Sequence, residues 1–560
     1  MKKIIHRLNN QTFRRWMILP LLAFSTLAVS CEDYLEEKNI SGLTADEYYK
    51  TTEGIEALVN SCYSSMRFWY GKENGMALTE TGTDIFTRGS GMEVPAVALY
   101  NSDLNGMNTA LTFYWNRFYS ALNTCNAAIE RIPLSPLPDQ TKAIREGEAR
   151  FLRAFYLWHI VENWGGVHLS TSEVKDIQTT AKRSSVEEFY NQMIEDLLFA
   201  SNNLPNTTNQ LGRATKPAAE AFLARVYLFN GQKQKASEYA QKVINNYGFN
   251  LVSSYSKLWG TNTTNNTENV FSVNFTSNLV LNHEMNDYEG NNLTLREGGN
   301  NSHLFYLMVY DQLPGMKRDI PNGRPFSRIM PTAFLLDLFD EEKDNRYDAT
   351  FQSVWYCNNA TSAPAGMRVG DTAIYATKKI IPASESSRHK YLTIDRRTTY
   401  DANDKPVIRD RFVSMKKFME PNRQTIAQQS GIRDAYVIRL AEMHLIVAEA
   451  EMNSNTALAV ESMNKVRLRA AKPGQENAMR VNASQLNIDF ILDERAREFA
   501  GEQMRWFDLK RTNKLVERVR RANPDAAPNI QEFHMLRPIP QSQLDAITNP
   551  SEFGQNPGYN

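Results

Sequence analysis

The chain has 560 residues, 42% hydrophobic and 11% aromatic, with 63 basic and 63 acidic side chains. That length holds roughly three or four ordinary domains, or one large repeat-built body, and the composition is that of a globular protein. Five of the basic residues (Lys2, Lys3, Arg7, Arg14, Arg15) precede residue 31 with no acid among them, so the remainder is mildly acidic and lacks the basic face that a nucleic-acid partner requires.

The N-terminus reads as an address. The apolar run from Trp16 to Val29 is too short to span a bilayer. It ends in Ala28-Val29-Ser30-Cys31, which resembles a bacterial lipoprotein signal with Cys31 as the lipidated residue; ordinary secretion with an incidental cysteine is the alternative. Residues 1–30 are therefore expected to be a signal peptide. Acylation of Cys31 would anchor an otherwise soluble body. Cys62, Cys125 and Cys357 remain, an odd number that permits at most one disulfide and has no zinc spacing.

Residues 44–65 predict a helix with Ile55, Leu58, Val59 and Cys62 on one face. The segment Glu80–Gly91 carries three glycines and mixed charge, which predicts an exposed, irregular loop. Residues 110–132 are helical again. In the stretch Ala149–Val167, Leu152, Phe155, Tyr156 and Ile160 share one helical face while Phe151, Trp158 and Val161 make the other sides apolar. A helix walled in by neighbours follows, ended by Gly165-Gly166.

Helical pairs then recur. Lys216–Phe229, with a proline in its first turn, is closed by Asn230-Gly231 and followed by Lys233–Asn246 with Ala236, Ala240 and Val243 on one side. Val437–Met452 and Thr456–Ala470 repeat the design, and residues 49–65 with 110–131, and 145–163 with 185–203, form looser pairs. The pattern predicts a mostly α fold on a tetratricopeptide-type scaffold, interrupted where solenoids normally stack without a break.

The interruption, residues 247–431, loses helical periodicity. Glu268–Phe275 alternates like a strand and Pro331–Phe339 reads as a short helix. The acidic run Asp340–Asp348 lacks the spacing of a calcium loop and reads as a solvated helix end. Tyr310 and Trp355 are stacking candidates, though rings of this kind serve cores more often than sites. From Ile491 to Arg511 a single helix is expected, with Leu492, Ala496, Phe499 and Trp506 inward and Glu502, Arg505, Asp508 and Arg511 spaced by three. Its carboxylates have arginines beside them, the pattern of a structural network and not of a glycosidase pair. There is no phosphate-binding glycine loop, nucleophile elbow or metal-spaced histidine cluster.

Several motifs together resemble the SusD/RagB family of outer-membrane nutrient-binding lipoproteins. They are the helix Arg153-Ala154-Phe155-Tyr156 running into Trp164-Gly165-Gly166-Val167, the block Ile491–Arg511, and the closing segments Leu536–Pro540 and Gln555–Tyr559. His168 departs from the pattern, standing where a proline is common. The acidic Glu32–Glu37 looks like a surface-export tag of such lipoproteins. The resemblance implies a SusD-like α scaffold over residues 31–246 and 432–560, with a loop-rich α/β insertion at 247–431 forming the binding face. It implies a non-enzymatic surface lipoprotein without cofactor or metal, anchored in the outer membrane, that binds an oligosaccharide and passes it to a SusC-like TonB-dependent transporter. It also implies a structural role for Asp344 and Arg346, and it places the Glu80–Gly91 loop near the ligand. Asp84 and Arg88 could then bond sugar hydroxyls and Tyr100 could stack, with Tyr310 and Trp355 as further platforms. A surface loop with a local ion pair is the plainer reading. A SusD-like binder of peptides or glycopeptides, and a lipoprotein glycoside hydrolase, are the alternatives.

Overall fold

The computed structural model describes residues 44–259, 266–278, 281–282 and 298–559. Cys31 and the segment that would carry the signal and the export tag lie outside the described residues.

The longer helices, in chain order, are α1 (Thr52–Ser64), α2 (Glu73–Glu80), α3 (Thr109–Arg131), α4 (Asp139–Trp164), α5 (Val186–Asn203), α6 (Lys216–Phe229), α7 (Lys233–Asn246), α8 (Leu440–Glu451), α9 (Thr456–Arg469), α10 (Ile488–Phe499), α11 (Arg505–Arg511) and α12 (Leu515–Ala522). Their starts have local chemical causes. The hydroxyl of Thr215 accepts from the Ala218 amide, with Pro217 in the first turn of α6. Ser185 and Glu188 form a reciprocal capping box at α5. The side chains of Asn108, Asn455 and Asn487 cap α3, α9 and α10 by accepting from the amides of Leu111, Leu458 and Phe490.

Helix α4 is the centre of the stack. Every residue from Ala149 to Trp164 except Arg150 is buried, and the helix packs against α1, α3 and α5. From there α5 packs on α6, α6 on α7, α7 on α8 and α8 on α9. The break expected between the third and fourth helical pairs is therefore a detour of the chain only. The insertion leaves after α7 and returns just before α8, and these two helices touch directly. A pair of strands clamps the detour: β2 (Asn269–Val273) runs antiparallel to β9 (Ala435–Arg439), with Val273 opposite Ala435 and Asn269 opposite Arg439. Residues 437–439, expected at the start of a helix, are thus strand, and α8 begins at Leu440.

The remaining strands are short. β1 (Phe86–Arg88) pairs with β3 (Ile329–Pro331), β4 (Phe351–Gln352) with β8 (Ser414–Met415), and β5 (Val354–Tyr356), β6 (Thr372–Ala376) and β7 (Leu392–Ile394) form one three-stranded sheet. Two large apolar cores result. One fills the helical stack, and the other is built from residues 304–418 with Met76, Ile85 and Phe86. A smaller third core lies between α8, α9 and α10. Helix α10 is where they meet: Leu492 enters the first, Ala496 the second, Ile491 and Phe499 the third.

The single helix expected over 491–511 is two helices. Ala500–Met504 breaks it, with Gly501 at φ +79° and Gln503 at φ +63°. Periodic charge suggested continuity, but Glu502 instead turns to Lys417 at 2.6 Å and Arg439 at 2.8 Å.

Candidate ligand-binding site

The Glu80–Gly91 loop is not the exposed segment its glycines suggest. Asp84 has no exposed surface. Its carboxylate accepts from Arg505 (2.7 and 2.6 Å) and from Arg518 Nε (2.8 Å). Burial alone would raise its pKa, but the two guanidiniums outweigh that and hold the carboxyl below the usual range. A sugar could reach it only by dismantling this cluster, so the assignment of Asp84 to ligand contact is corrected.

The stacking candidates are corrected for the same reason. Tyr100 is buried, at φ +51°, with its ring 5.0 Å from that of His534. Tyr310 is buried and donates its hydroxyl to the Gly323 carbonyl at 2.7 Å. Trp355 is 1% exposed and lies opposite Ile374 in the sheet core. Of the five candidates in the described residues only Arg88 is half-exposed. Its backbone pairs with Ile329, and its carbonyl accepts from Arg409, whose fork holds Asp525 at 2.7 Å.

The carboxylates of α10 are fully committed. Glu494 meets Arg346 (2.9 Å), Arg467 (2.6 Å) and Arg497 (2.8 Å). Glu498 meets Arg346 and Arg439, both at 3.1 Å, and also Arg469. Burial would raise both pKa values, but these guanidiniums hold Glu494 and Glu498 well down. A glycosidase needs one carboxyl with a raised pKa beside a free carboxylate, and this network supplies neither. Asp344 and Arg346, 2.7 Å apart, belong to the same structural network. In the acidic run, Asp340 pairs with Lys343 and Asp348 with Lys472, both at 2.6 Å.

Accessible concave surface lies elsewhere. One part is a cleft of two lobes, about 370 and 220 Å3, that share Leu211, Gly212, Arg213, Ser272 and Asn274. The first lobe adds Asn60, Tyr63, Arg67 and Gln210, the second Asn206, Thr208, Asn266 and Asn269. Another is a hollow of about 490 Å3 lined by Asn422, Gln424, Thr425, Gln428 and Ser430. Two of the three volumes fall within the range of roughly 300–1,000 Å3 usual for ligand sites.

The first lobe is held by polar side chains that converge on the buried Glu148 and Asp434. Arg213 pairs with Glu148 (2.5 Å) and donates to Asn60 (2.7 Å), while the Tyr63 hydroxyl donates to Glu148 (2.7 Å). Arg67 Nε donates to the Asn274 carbonyl at 2.9 Å, and Asp434 accepts from the Phe275 amide at 2.9 Å. Exposed Leu211 and Leu281 share the cleft with neutral amide and hydroxyl groups. Such groups can donate to and accept from a hydroxyl-rich ligand without a proton transfer. Sequence reasoning missed these residues, although the runs Asn206-Thr-Thr-Asn-Gln210 and Asn422–Ser430 were a compositional signal.

Comparison with known proteins gives the context. The family model described as "SusD family" matches residues 229–559, and a second, "Starch-binding associating with outer membrane", matches 33–228. A SusD-like protein P2 of Formosa agariphila is 26% identical, with 98% of this chain and all of that protein covered. A SusD-like protein of Bacteroides ovatus is 23% identical over 89% of this chain and 82% of its own. Among solved structures, a laminarin-binding SusD-like protein superposes with a TM-score of 0.69 at 23% identity, covering 91% of this chain and 100% of that one. Surface glycan-binding protein A of Bacteroides thetaiotaomicron, solved with laminarihexaose, gives 0.67 at 17%, with 90% and 99% covered. Fold, helical scaffold and both family matches agree, and the chain belongs to the SusD family of glycan-binding proteins.

Proposed function

We propose that this protein captures an oligosaccharide or polysaccharide at the outer-membrane surface and delivers it to a SusC-like TonB-dependent transporter. Family membership across 33–559 is the observation that carries this reading, and the amide-lined cleft supports it. Arg88, half-exposed, stays a separate candidate contact in addition to the cleft's Asn60, Gln210 and Asn274. The protein acts as a binder and not as a hydrolase, a reading favoured by the complete ion pairing of the α10 carboxylates. Among the described residues no helix is long and apolar enough to cross a membrane, and we assign attachment to an acyl chain on Cys31.

The test is retention on immobilised starch, laminarin, xylan and mannan, with a peptide panel alongside. Asn60→Ala with Gln210→Ala should weaken binding of the retained glycan by about 1–3 kcal/mol, the cost of leaving a polar partner unmatched. Retention of peptides alone would replace the glycan reading with the peptide alternative, and release of reducing sugar would restore the hydrolase. Cys31→Ala should move the protein from the membrane to the soluble fraction, since each buried methylene contributes about 0.8 kcal/mol. Pelleting of that variant with membranes after a salt wash refutes the anchor. Mild detergent extraction should recover a TonB-dependent barrel with the protein; recovery only as a free monomer argues against delivery.

A further inference from the structure

The cleft offers hydrogen bonds but few flat apolar surfaces. Of the rings that line it, Tyr63 and Phe249 are half-buried and Phe271 is buried, and the Tyr63 hydroxyl is committed to Glu148. Pyranose rings also present C–H faces, which bind best to exposed aromatic rings. Such rings occur on the sheet β5–β6–β7. Strand alternation turns Trp355 into the core and leaves its neighbour Tyr356 60% exposed. Across the sheet, Val354 stands opposite Tyr375, and Tyr375 opposite Thr393. Tyr391, two residues before Thr393, lies with its ring 6.2 Å from that of Tyr375 at 73°. The exposed His389 stacks on Tyr391 at 4.5 Å and only 12° between planes.

Tyr356 and His389 are thus exposed and Tyr375 and Tyr391 half-exposed at one small sheet, where Tyr356 stands opposite the half-exposed Thr372 and Thr393 is also half-exposed. Single exposed apolar side chains are ordinary, but several rings close together on one face mark an interaction surface. The hydroxyls at the ring edges suit a wet, polar ligand better than the dry core of a protein interface.

We propose that the β5–β6–β7 face, through Tyr356, Tyr391 and His389, is a second glycan-contact surface that stacks on sugar rings of a long chain whose other segment occupies the amide-lined cleft. The proposal rests on the glycan-binding reading above. Two contacts on one chain make the second intramolecular, so the gain appears with polymer and not with a short oligosaccharide.

The experiment compares wild type with Tyr356→Ala/Tyr391→Ala on the polysaccharide that the panel of starch, laminarin, xylan and mannan identifies, and on its hexasaccharide. Polymer affinity should fall about tenfold, the worth of losing two ring contacts, while hexasaccharide affinity and melting temperature hold. Unchanged polymer affinity with an intact fold overturns the proposal. Equal loss for hexasaccharide and polymer also overturns it, since the rings would then belong to a single site. If the double variant unfolds, Tyr356→Ala alone, at a mostly exposed position, decides by the same readings. Wild type retained on none of the glycans refutes both this proposal and the function it rests on.

Discussion

A carboxylate with no exposed surface is stable only where its charge is answered, and Asp84 is answered twice. Arg505 grips both its oxygens, and Arg518 reaches the same carboxylate while holding Asp489 at 3.0 Å and pairing with Asp493. Removing Asp84 leaves the buried Arg505 charged and without its carboxylate, while Arg518 keeps Asp489 and Asp493. Asp84→Ala should therefore destabilise the fold by about 3–5 kcal/mol, read as a lowered urea midpoint, while any protein still folded binds glycan as before. Wild-type stability would show that the cluster is not closed as described. The sequence concealed this because both arginines lie more than 400 residues away along the chain. Glycines and mixed charge report local conformation, and long-range partners leave no local trace. Trp355 and Tyr356 were open to the same misjudgement: strand alternation decides which of two adjacent rings faces out, and the strand's register is set by β6.

Helix ends were legible where caps or breakers sit in the chain. Lys216–Phe229 and Lys233–Asn246 fall on the expected bounds because Pro217 and Gly231 punctuate them. The break after α10 was not legible, since Glu502, Arg505, Asp508 and Arg511 keep helical spacing across it. The break has a physical requirement at Gly501. Its φ of +79° suits glycine, and a Cβ there would lie 2.7 Å from Met415 Cε and 2.8 Å from Phe418 Cε2. The same turn sends the amides of Gly501 and Met504 to the buried Glu80, each at 3.1 Å. Gly501→Ala should cost about 1–3 kcal/mol in backbone strain alone, with the clash adding to it. Thermal melting measures this directly. A variant as stable as wild type would mean that the α10–α11 turn adapts freely, contrary to its packing against the second core.

At the scale of the molecule, the cores are tied together by groups that ionise, so stability must depend on pH. His159 sits in the centre of the helical stack, among Trp69, Phe118, Phe155 and Trp158. Its Nδ1 is 2.9 Å from the Phe155 carbonyl, which fixes the neutral tautomer with that nitrogen donating, and its Nε2 has no partner. Burial therefore pushes its pKa down to about 3. Burial likewise lowers His303 to about 3, and His444 and His534 to about 4. An unfolded histidine takes a proton near pH 6.5, so these groups contribute stability that is complete above that pH. It is lost as pH falls from 6.5 toward 3, because the unfolded state then binds more protons. For His159 alone the loss at pH 5 is about 2 kcal/mol. Glu80 opposes the trend: burial pushes it up to about 8, so its contribution is full below pH 4.5 and is lost as pH rises through 8. Four histidines against one glutamate should still make the melting temperature fall steadily between pH 7 and pH 5. Below pH 4.5 the arginine-held Glu494, Glu498, Asp84 and Asp508, all with lowered pKa values, should steepen the loss. His159→Phe keeps an aromatic ring in the stack and removes the ionisable group, so its melting temperature should decline less over the same interval. A wild-type profile flat from pH 7 to pH 5, or a variant that declines in parallel with it, would remove His159 from the account of acid sensitivity.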